Sequence, residues 1–433
     1  MSRSAMSRRR FLAATGALAA SPTLGLSRPR PAAEKVNIAL IGADGRGWEN
    51  LQEIRTENIV AICDVDESRA AKARALFPKA AFFTDYRKLF DSAAKTFDAV
   101  LIATPDHSHA YPTATALRLG KHVYCEKPLT HTVEEARLIR KLTADTKRVT
   151  QMGTQIHAGE NYRRVVEAVQ GGGLGEIRRV KVWCNNAPVP GKKTGPRARV
   201  KFDIDLWAGP VPGDVFATNM PNWPHFHWRY WWAYGNGSLG DFGCHFMDLP
   251  YWALNLTLPT KIMAEGKKTY VGDNTTPNLL QVDYEFPAVG DRPAVHMTWY
   301  TGVKGPSLDG KETYPGYTSG VLFEGEKGKL ISDYSKHKLL PDDFAKTFAT
   351  PAKSIPKSVG HHREWLNAIL HGTPTTCNFA YSGQLAESVL LGAAAYRSGK
   401  EIVWDPAAGK ATNTTEANRY LAEEYRKGWD LKG

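Results

Sequence analysis

Cysteine is scarce in this 433-residue chain and never closely paired. The five cysteines (Cys63, Cys125, Cys184, Cys244, Cys377) form no CxxC. That excludes a disulfide scaffold and a cysteine-based zinc site. Long apolar runs are missing as well. The stretch from Ala13 to Ala20 is too short to span a bilayer, and no later segment is longer and apolar enough. Acidic residues are absent from residues 1–30, which carry six arginines (Arg3, Arg8, Arg9, Arg10, Arg28, Arg30). Removing those six from the net charge of +12 leaves +6. No basic run in the rest of the chain is interleaved with aromatics, so the charge does not imply nucleic-acid binding. What remains is a chain 42% hydrophobic and 10% aromatic, long enough for two or three domains around a large core.

The N-terminus reads as an address. Ser7-Arg8-Arg9-Arg10-Phe11-Leu12 precedes the short apolar stretch, and small residues (Ala17-Leu18-Ala19) close it. A basic head, an apolar middle and a small-residue end make an export signal, cut near Ala19 or further on. The arginine pair before Phe-Leu resembles the twin-arginine signal. The expected location is therefore the periplasm or beyond. Residues 21–34, with Pro22, Pro29 and Pro31, read as a linker, so 1–34 is signal plus linker.

Residues 35–155 alternate strand and helix patterns, as a doubly wound parallel sheet requires. Val36-Asn37-Ile38-Ala39-Leu40-Ile41 is a short apolar strand, and Gly42-Ala43-Asp44-Gly45-Arg46-Gly47 follows before a helical stretch. Strand, glycine turn and helix are the context of a dinucleotide fingerprint. Gly42 and Gly47 fit its first and sixth positions, but Asp44 stands at the third, with Gly45 displaced by one. A carboxylate there repels a pyrophosphate unless it points away. The next strand ends at Asp64, 22 residues after Gly42, where an acid binds the adenosine ribose and favours NAD over NADP. Asp66 reads as a helix cap. Thr104-Pro105-Asp106-His107-Ser108-His109 follows the strand Phe97–Ala103 at the sheet edge where ligands bind, with His107 the expected cofactor-side residue and no metal implied. A further strand, His122–Cys125, runs into Glu126-Lys127-Pro128.

The glycine turn, the Thr104-Pro105 loop, Glu126-Lys127-Pro128 and a later segment, Gly240-Asp241-Phe242-Gly243-Cys244-His245-Phe246-Met247-Asp248, together resemble the Gfo/Idh/MocA oxidoreductases, over residues 36–400. The resemblance implies an α/β Rossmann domain followed by an α+β domain with an open, mainly antiparallel sheet. Its strands are expected at Val180–Cys184, Gln281–Phe286, Ala294–Tyr300 and Val321–Gly325. The domains are then 35–155 for NAD, 156–400 for substrate and oligomer contacts, and a tail, 401–433, that could reach a neighbouring subunit. The family commonly holds the Lys-Pro bond cis, aiming Lys127 at the nicotinamide.

The resemblance makes Lys127, Asp241 and His245 the catalytic trio. His245 is expected to accept the hydroxyl proton, Lys127 to hold the reacting oxygen, and Asp241 to orient them. The exchange of roles between Lys127 and His245 stays open. A helix over Leu239–Leu249 would put Asp241, His245 and Asp248 on one face. Cofactor contacts are expected from Gly42, Gly45, Arg46, Gly47, Asp64, Thr104, Pro105, His107, Glu126 and Lys127. Substrate contacts are expected from Gln155 and His157, which follow the last strand of the first domain, and from His227, Trp228 and Arg229. Those three lie in an aromatic run, Asn222–Trp232, of the kind that stacks on sugars. Most of its tryptophans read as packing, as does the helix opened by His361-His362-Arg363-Glu364-Trp365.

Three functions compete. One is an NAD(P)-dependent oxidoreductase acting on a secondary hydroxyl of a sugar or polyol, with a tightly held cofactor. Another is an NAD-dependent glycosidase working by transient oxidation at C3 and elimination, which needs an extra base such as His157 or Tyr230. The last is a non-catalytic sugar-binding protein, which has no use for the trio. A homodimer or tetramer through the open sheet is expected.

Overall fold

A computed structural model describes residues 34–187, 202–213 and 225–431. The arginine-rich signal and the start of the aromatic run (Asn222, Trp223, Pro224) lie outside the described residues.

The first domain alternates β1 (Asn37–Ile41), α1 (Arg46–Ile54), β2 (Asn58–Cys63), α2 (Glu67–Leu76), β3 (Ala81–Phe83), α3 (Tyr86–Ala93), β4 (Ala99–Ile102), α4 (Ala110–Arg118), β5 (His122–Glu126), α5 (Val133–Thr146) and β6 (Thr150–Gly153). The strands are parallel in the order β3-β2-β1-β4-β5-β6. All four residues of β4 are buried, as in a strand covered by helices on both faces. Helix α5 starts where it does because Thr132 and Glu135 form a reciprocal capping box. The sheet order reverses between β1 and β4, and the crevice outside their carboxyl ends is the place for a ligand.

The second domain contains α6 (Glu160–Gln170), β7 (Ile177–Cys184), α7 (Ile204–Ala208), α8 (Gly237–Phe246), α9 (Asp248–Ala253), β8 (Lys261–Lys267), β9 (Leu279–Phe286), β10 (Val295–Thr301), β11 (Gly320–Gly325), β12 (Lys329–Ser332), β13 (His337–Leu340), α10 (Asp342–Thr347), α11 (His361–His371), α12 (Phe379–Ser398), β14 (Ile402–Asp405) and β15 (Lys410–Ala411). Its strands run in the order β13-β12-β11-β7-β10-β9-β8-β14-β15, antiparallel throughout except for the β7–β10 pair. The four expected strands are β7, β9, β10 and β11. The other five were not anticipated, because strands such as β8 (Lys-Ile-Met-Ala-Glu-Gly-Lys) and β13 are half charged. The residues of β9 and β10 that point away from the core carry ion pairs, among them His296 with Asp283 and Glu285.

Two features tie the domains together. Helix α11 lays His362 on the ring of Tyr124 at the end of β5, 4.8 Å between centroids and nearly parallel. The tail also corrects an expectation. After β15 it returns to its own first domain rather than leaving toward a neighbour. Trp429 is buried against Tyr86 and Tyr111, and the Leu421 carbonyl accepts from the Glu134 N–H at 2.9 Å. Its apolar residues (Leu421, Trp429, Leu431) had a ready-made groove beside α3 and α4.

Candidate active site

A cleft of about 610 Å³ opens at the β1/β4 crevice and continues onto the second domain. Its nucleotide end is shaped by close backbone approach. A Cβ at Gly42 would lie 2.6 Å from the Ala103 carbonyl oxygen, and one at Gly47 would lie 2.0 Å from the Gly42 oxygen. Any side chain there would fill the turn on which a pyrophosphate rests. The irregular Asp44 does not block it, because its carboxylate pairs with Arg69 at 3.1 Å. Asp64 ends β2 at the cleft wall, fixed by the N–H groups of Ala43 (2.9 Å) and Asp66 (3.0 Å). Burial raises its pKa against those donors. Asp66 caps α2 through the N–H groups of Ser68 and Arg69. Arg46, Thr104, Pro105 and Glu126 line the same wall. A glycine cradle, a ribose-facing acid and an arginine already engaged by Asp44 fit NAD.

The reacting end joins the two domains. The Lys127–Pro128 bond is cis. The Lys127 ammonium donates to the Asp241 carboxylate at 2.6 Å and also to the Asp241 carbonyl, both on α8. Arg229 comes within 3.4 Å of the same carboxylate. Burial alone would raise the Asp241 pKa, but Lys127 and Arg229 hold it down to about 2. His245, one turn after Asp241, also faces the cleft. Burial first, then the Lys127 cation, keeps its pKa well below the usual histidine range. Its Nδ1 is buried with no hydrogen-bond partner among the described residues. Such a ring is neutral at pH 7 and able to accept a proton.

Glu126 supports this arrangement from beneath. It accepts from Asn50 (2.8 Å) and Gln155 (2.7 Å), and Asn50 in turn contacts the His362 Nε2 at 3.0 Å. A Cβ at Gly153 would sit 2.5 Å from the Glu126 carboxyl carbon, so β6 passes flat beneath it. His109 links the two loops, its ring nitrogens each 2.7 Å from a carbonyl oxygen, of Pro128 and of Thr104.

The structure brings Gly42, Gly45, Arg46, Asp64, Thr104, Pro105, Glu126, Lys127, Trp228, Arg229, Asp241 and His245 to one cleft. Five expectations need correction. His107 stands behind the wall, packed against Trp207 and Tyr234 with Nε2 2.9 Å from the Trp207 carbonyl. Gln155 is spent on Glu126 and Tyr124. His157 points the other way, its Nδ1 2.9 Å from Asp248 and its ring stacked on Trp252. His227 does not line the cleft, whereas Trp228 and Arg229 of the same short 3₁₀ turn (His227–Tyr230), and His225 just before it, do. Asp248 leaves the catalytic face because α8 ends at Phe246 and a new helix starts, with Pro250 in its first turn. His157, Asp248 and Cys377 lie close enough for one metal ion. Asp248 is already satisfied by His157 and by the Tyr381 hydroxyl at 2.7 Å, so the cluster reads as polar core. Neither His157 nor Tyr230 lines the cleft, so neither serves a glycosidase as its extra base. Sequence reasoning missed Asp106, Arg69, Asn186, His225 and Phe242 as cleft residues. Only Asp106, next to an expected cofactor loop, carried a signal that could have found it.

Residues 36–154 match an oxidoreductase family described as having an NAD-binding Rossmann fold, and residues 190–431 match its C-terminal alpha/beta domain. Among curated relatives, the inositol 2-dehydrogenase/D-chiro-inositol 3-dehydrogenase of Shouchella clausii is 29% identical over 157 residues, 35% of this chain and 45% of that protein. An inositol 2-dehydrogenase of Leifsonia xyli subsp. xyli is 32% identical over 188 residues, 41% of this chain and 54% of that protein. The chain thus spans about half the length of the curated relatives it matches. Among solved structures, the WlbA dehydrogenase from Bordetella pertussis in complex with NADH and UDP-GlcNAcA superposes with a TM-score of 0.60 at 17% identity, over 86% of this chain and 99% of that one. A levoglucosan dehydrogenase in complex with NADH and L-sorbose gives 0.59 at 16% identity, over 86% and 100%.

Proposed function

The chain belongs to the Gfo/Idh/MocA oxidoreductase family, and on that premise we propose that it oxidises a secondary hydroxyl of a sugar or polyol with a tightly held NAD. The observation that carries this reading is the Lys127–Asp241–His245 group at the far end of a dinucleotide cleft. NAD, when held by the glycine turn and Asp64, would supply the hydride acceptor. The protein's own residues handle the rest. Asp241 occupies two of the three Lys127 N–H donors, and the third is left for the reacting oxygen. The nearby cation stabilises negative charge developing on that oxygen. His245, kept neutral by burial, accepts the hydroxyl proton. Trp228 and Arg229 stand beside the trio, the guanidinium stacked over the indole at 4.3 Å, so that Arg229 offers N–H donors to a sugar hydroxyl. Names among the relatives and structural neighbours, inositol dehydrogenases and a levoglucosan dehydrogenase, support the same substrate class.

Export by the twin-arginine route and assembly as a dimer or tetramer through the open sheet belong to the same proposal. Folding around a cytoplasmic nucleotide before export would explain why the cofactor is held tightly. The test is to purify the protein, read co-purified nucleotide by absorbance, and screen sugars, polyols and nitrophenyl glycosides. Sugar-dependent reduction of the bound nucleotide supports the proposal. Release of nitrophenol without net NADH would sink it in favour of the glycosidase.

A further inference from the structure

Asp106 is the least explained group in the cleft. It follows Pro105 at the carboxyl end of β4, lines the cavity, and is 4% exposed. Among the described residues its carboxylate accepts no hydrogen bond, whereas Asp64, Glu126 and Asp241 are each held by two or more donors. Gly240 of α8 lies beside it. A Cβ there would come 3.9 Å from an Asp106 oxygen and 2.7 Å from the Asn236 side chain. A buried carboxylate is acceptor-only, and leaving its lone pairs unmet is costly. It lines the cleft, so a ligand that enters can supply the donors.

We propose that Asp106 receives a hydrogen bond from a second hydroxyl of the substrate, adjacent to the one held by Lys127, so that the cleft selects vicinal diols. This rests on the sugar or polyol reading and sharpens it. The ligand is gripped by complementary groups: the Lys127 ammonium donates to one oxygen and the Asp106 carboxylate accepts from its neighbour. The charged groups facing Asp106 are Arg229, Lys127, Asp241 and His131, with the Cys125 and Cys244 thiols behind it. Burial pushes its pKa up to about 7 in spite of the three cations. The accepting, ionised form therefore fills as pH rises through neutrality, and diol affinity rises with it.

The experiment is binding rather than turnover. Quenching of tryptophan fluorescence is followed in NADH-loaded protein as myo-inositol, D-glucose and their monodeoxy analogues are added, for the wild type, Asp106→Asn and Asp106→Ala. In the wild type, loss of one particular hydroxyl is expected to weaken binding about 10- to 100-fold, the range of a hydrogen bond to a charged group. Asp106→Ala is expected to bind parent and deoxy compound alike. Asp106→Asn, a shape-matched acceptor, keeps part of the discrimination and loses its pH dependence. NADH affinity within threefold of wild type shows that the variants are folded. Unchanged discrimination in Asp106→Ala overturns the proposal, and so does a tenfold loss of NADH affinity in Asp106→Asn, which would assign the carboxylate to the cofactor. If the wild type binds no polyol at all, the sugar reading falls and this assignment falls with it.

Discussion

At the residue scale, Lys127 holds an ion pair with Asp241 and, in the proposed reaction, the reacting oxygen as well. Replacing it by alanine is expected to lower kcat by 10²–10⁴-fold, the range for a positioned proton-handling group, with the nucleotide dissociation constant nearly unchanged. Fluorescence titration with NADH beside steady-state kinetics separates the two. The Glu126 platform makes a different prediction. Gly153→Ala drives a methyl group against the Glu126 carboxyl, at a cost of about 1–3 kcal/mol for an overpacked site. Its melting temperature and its nucleotide affinity should both fall, and a lower melting temperature with unchanged affinity would detach the platform from the cofactor site. The family resemblance named this trio in the sequence, and the four-residue spacing of Asp241 and His245 put those two on one helix face. Asp106 was harder to see, since a Thr-Pro-Asp run also reads as an ordinary helix start. The choice of His225 over His227 was not legible at all. It depends on how a 3₁₀ turn is packed against the second domain.

At the scale of elements, the all-apolar central strands of the first domain were readable because both faces are covered by helices. The mixed strands of the second sheet were not, because one face carries ion pairs. The tail adds an element with its own pH response. The His131 ring lies 3.3 Å from Glu423. Burial alone would lower its pKa, but Glu423, Glu135 and Asp106 raise it to about 9 from 6.5. A pKa raised on folding adds stability that is fully present below about 6.5 and lost as pH climbs through about 9. The most it can contribute is roughly 3 kcal/mol. Wild-type protein should therefore melt progressively lower between pH 6.5 and 9.5, relative to Glu423→Gln, whose curve should be flatter. Parallel curves would show that the ion pair does not stabilise the fold.

For the whole molecule, the tail is a strap that holds the nucleotide domain from outside the domain's own sequence. Trp429→Ala should cost about 3–5 kcal/mol, as for other buried tryptophans. Hydrogen exchange should localise the loss to α3 and α4 rather than to the second sheet. If α3 and α4 keep their protection, the strap is decoration. Its position also sets an order of events. The groove between Tyr86 and Tyr111 belongs to the first domain, yet the indole that fills it, Trp429, comes after the whole second sheet in the chain. The first domain is thus completed only once the second has been synthesised.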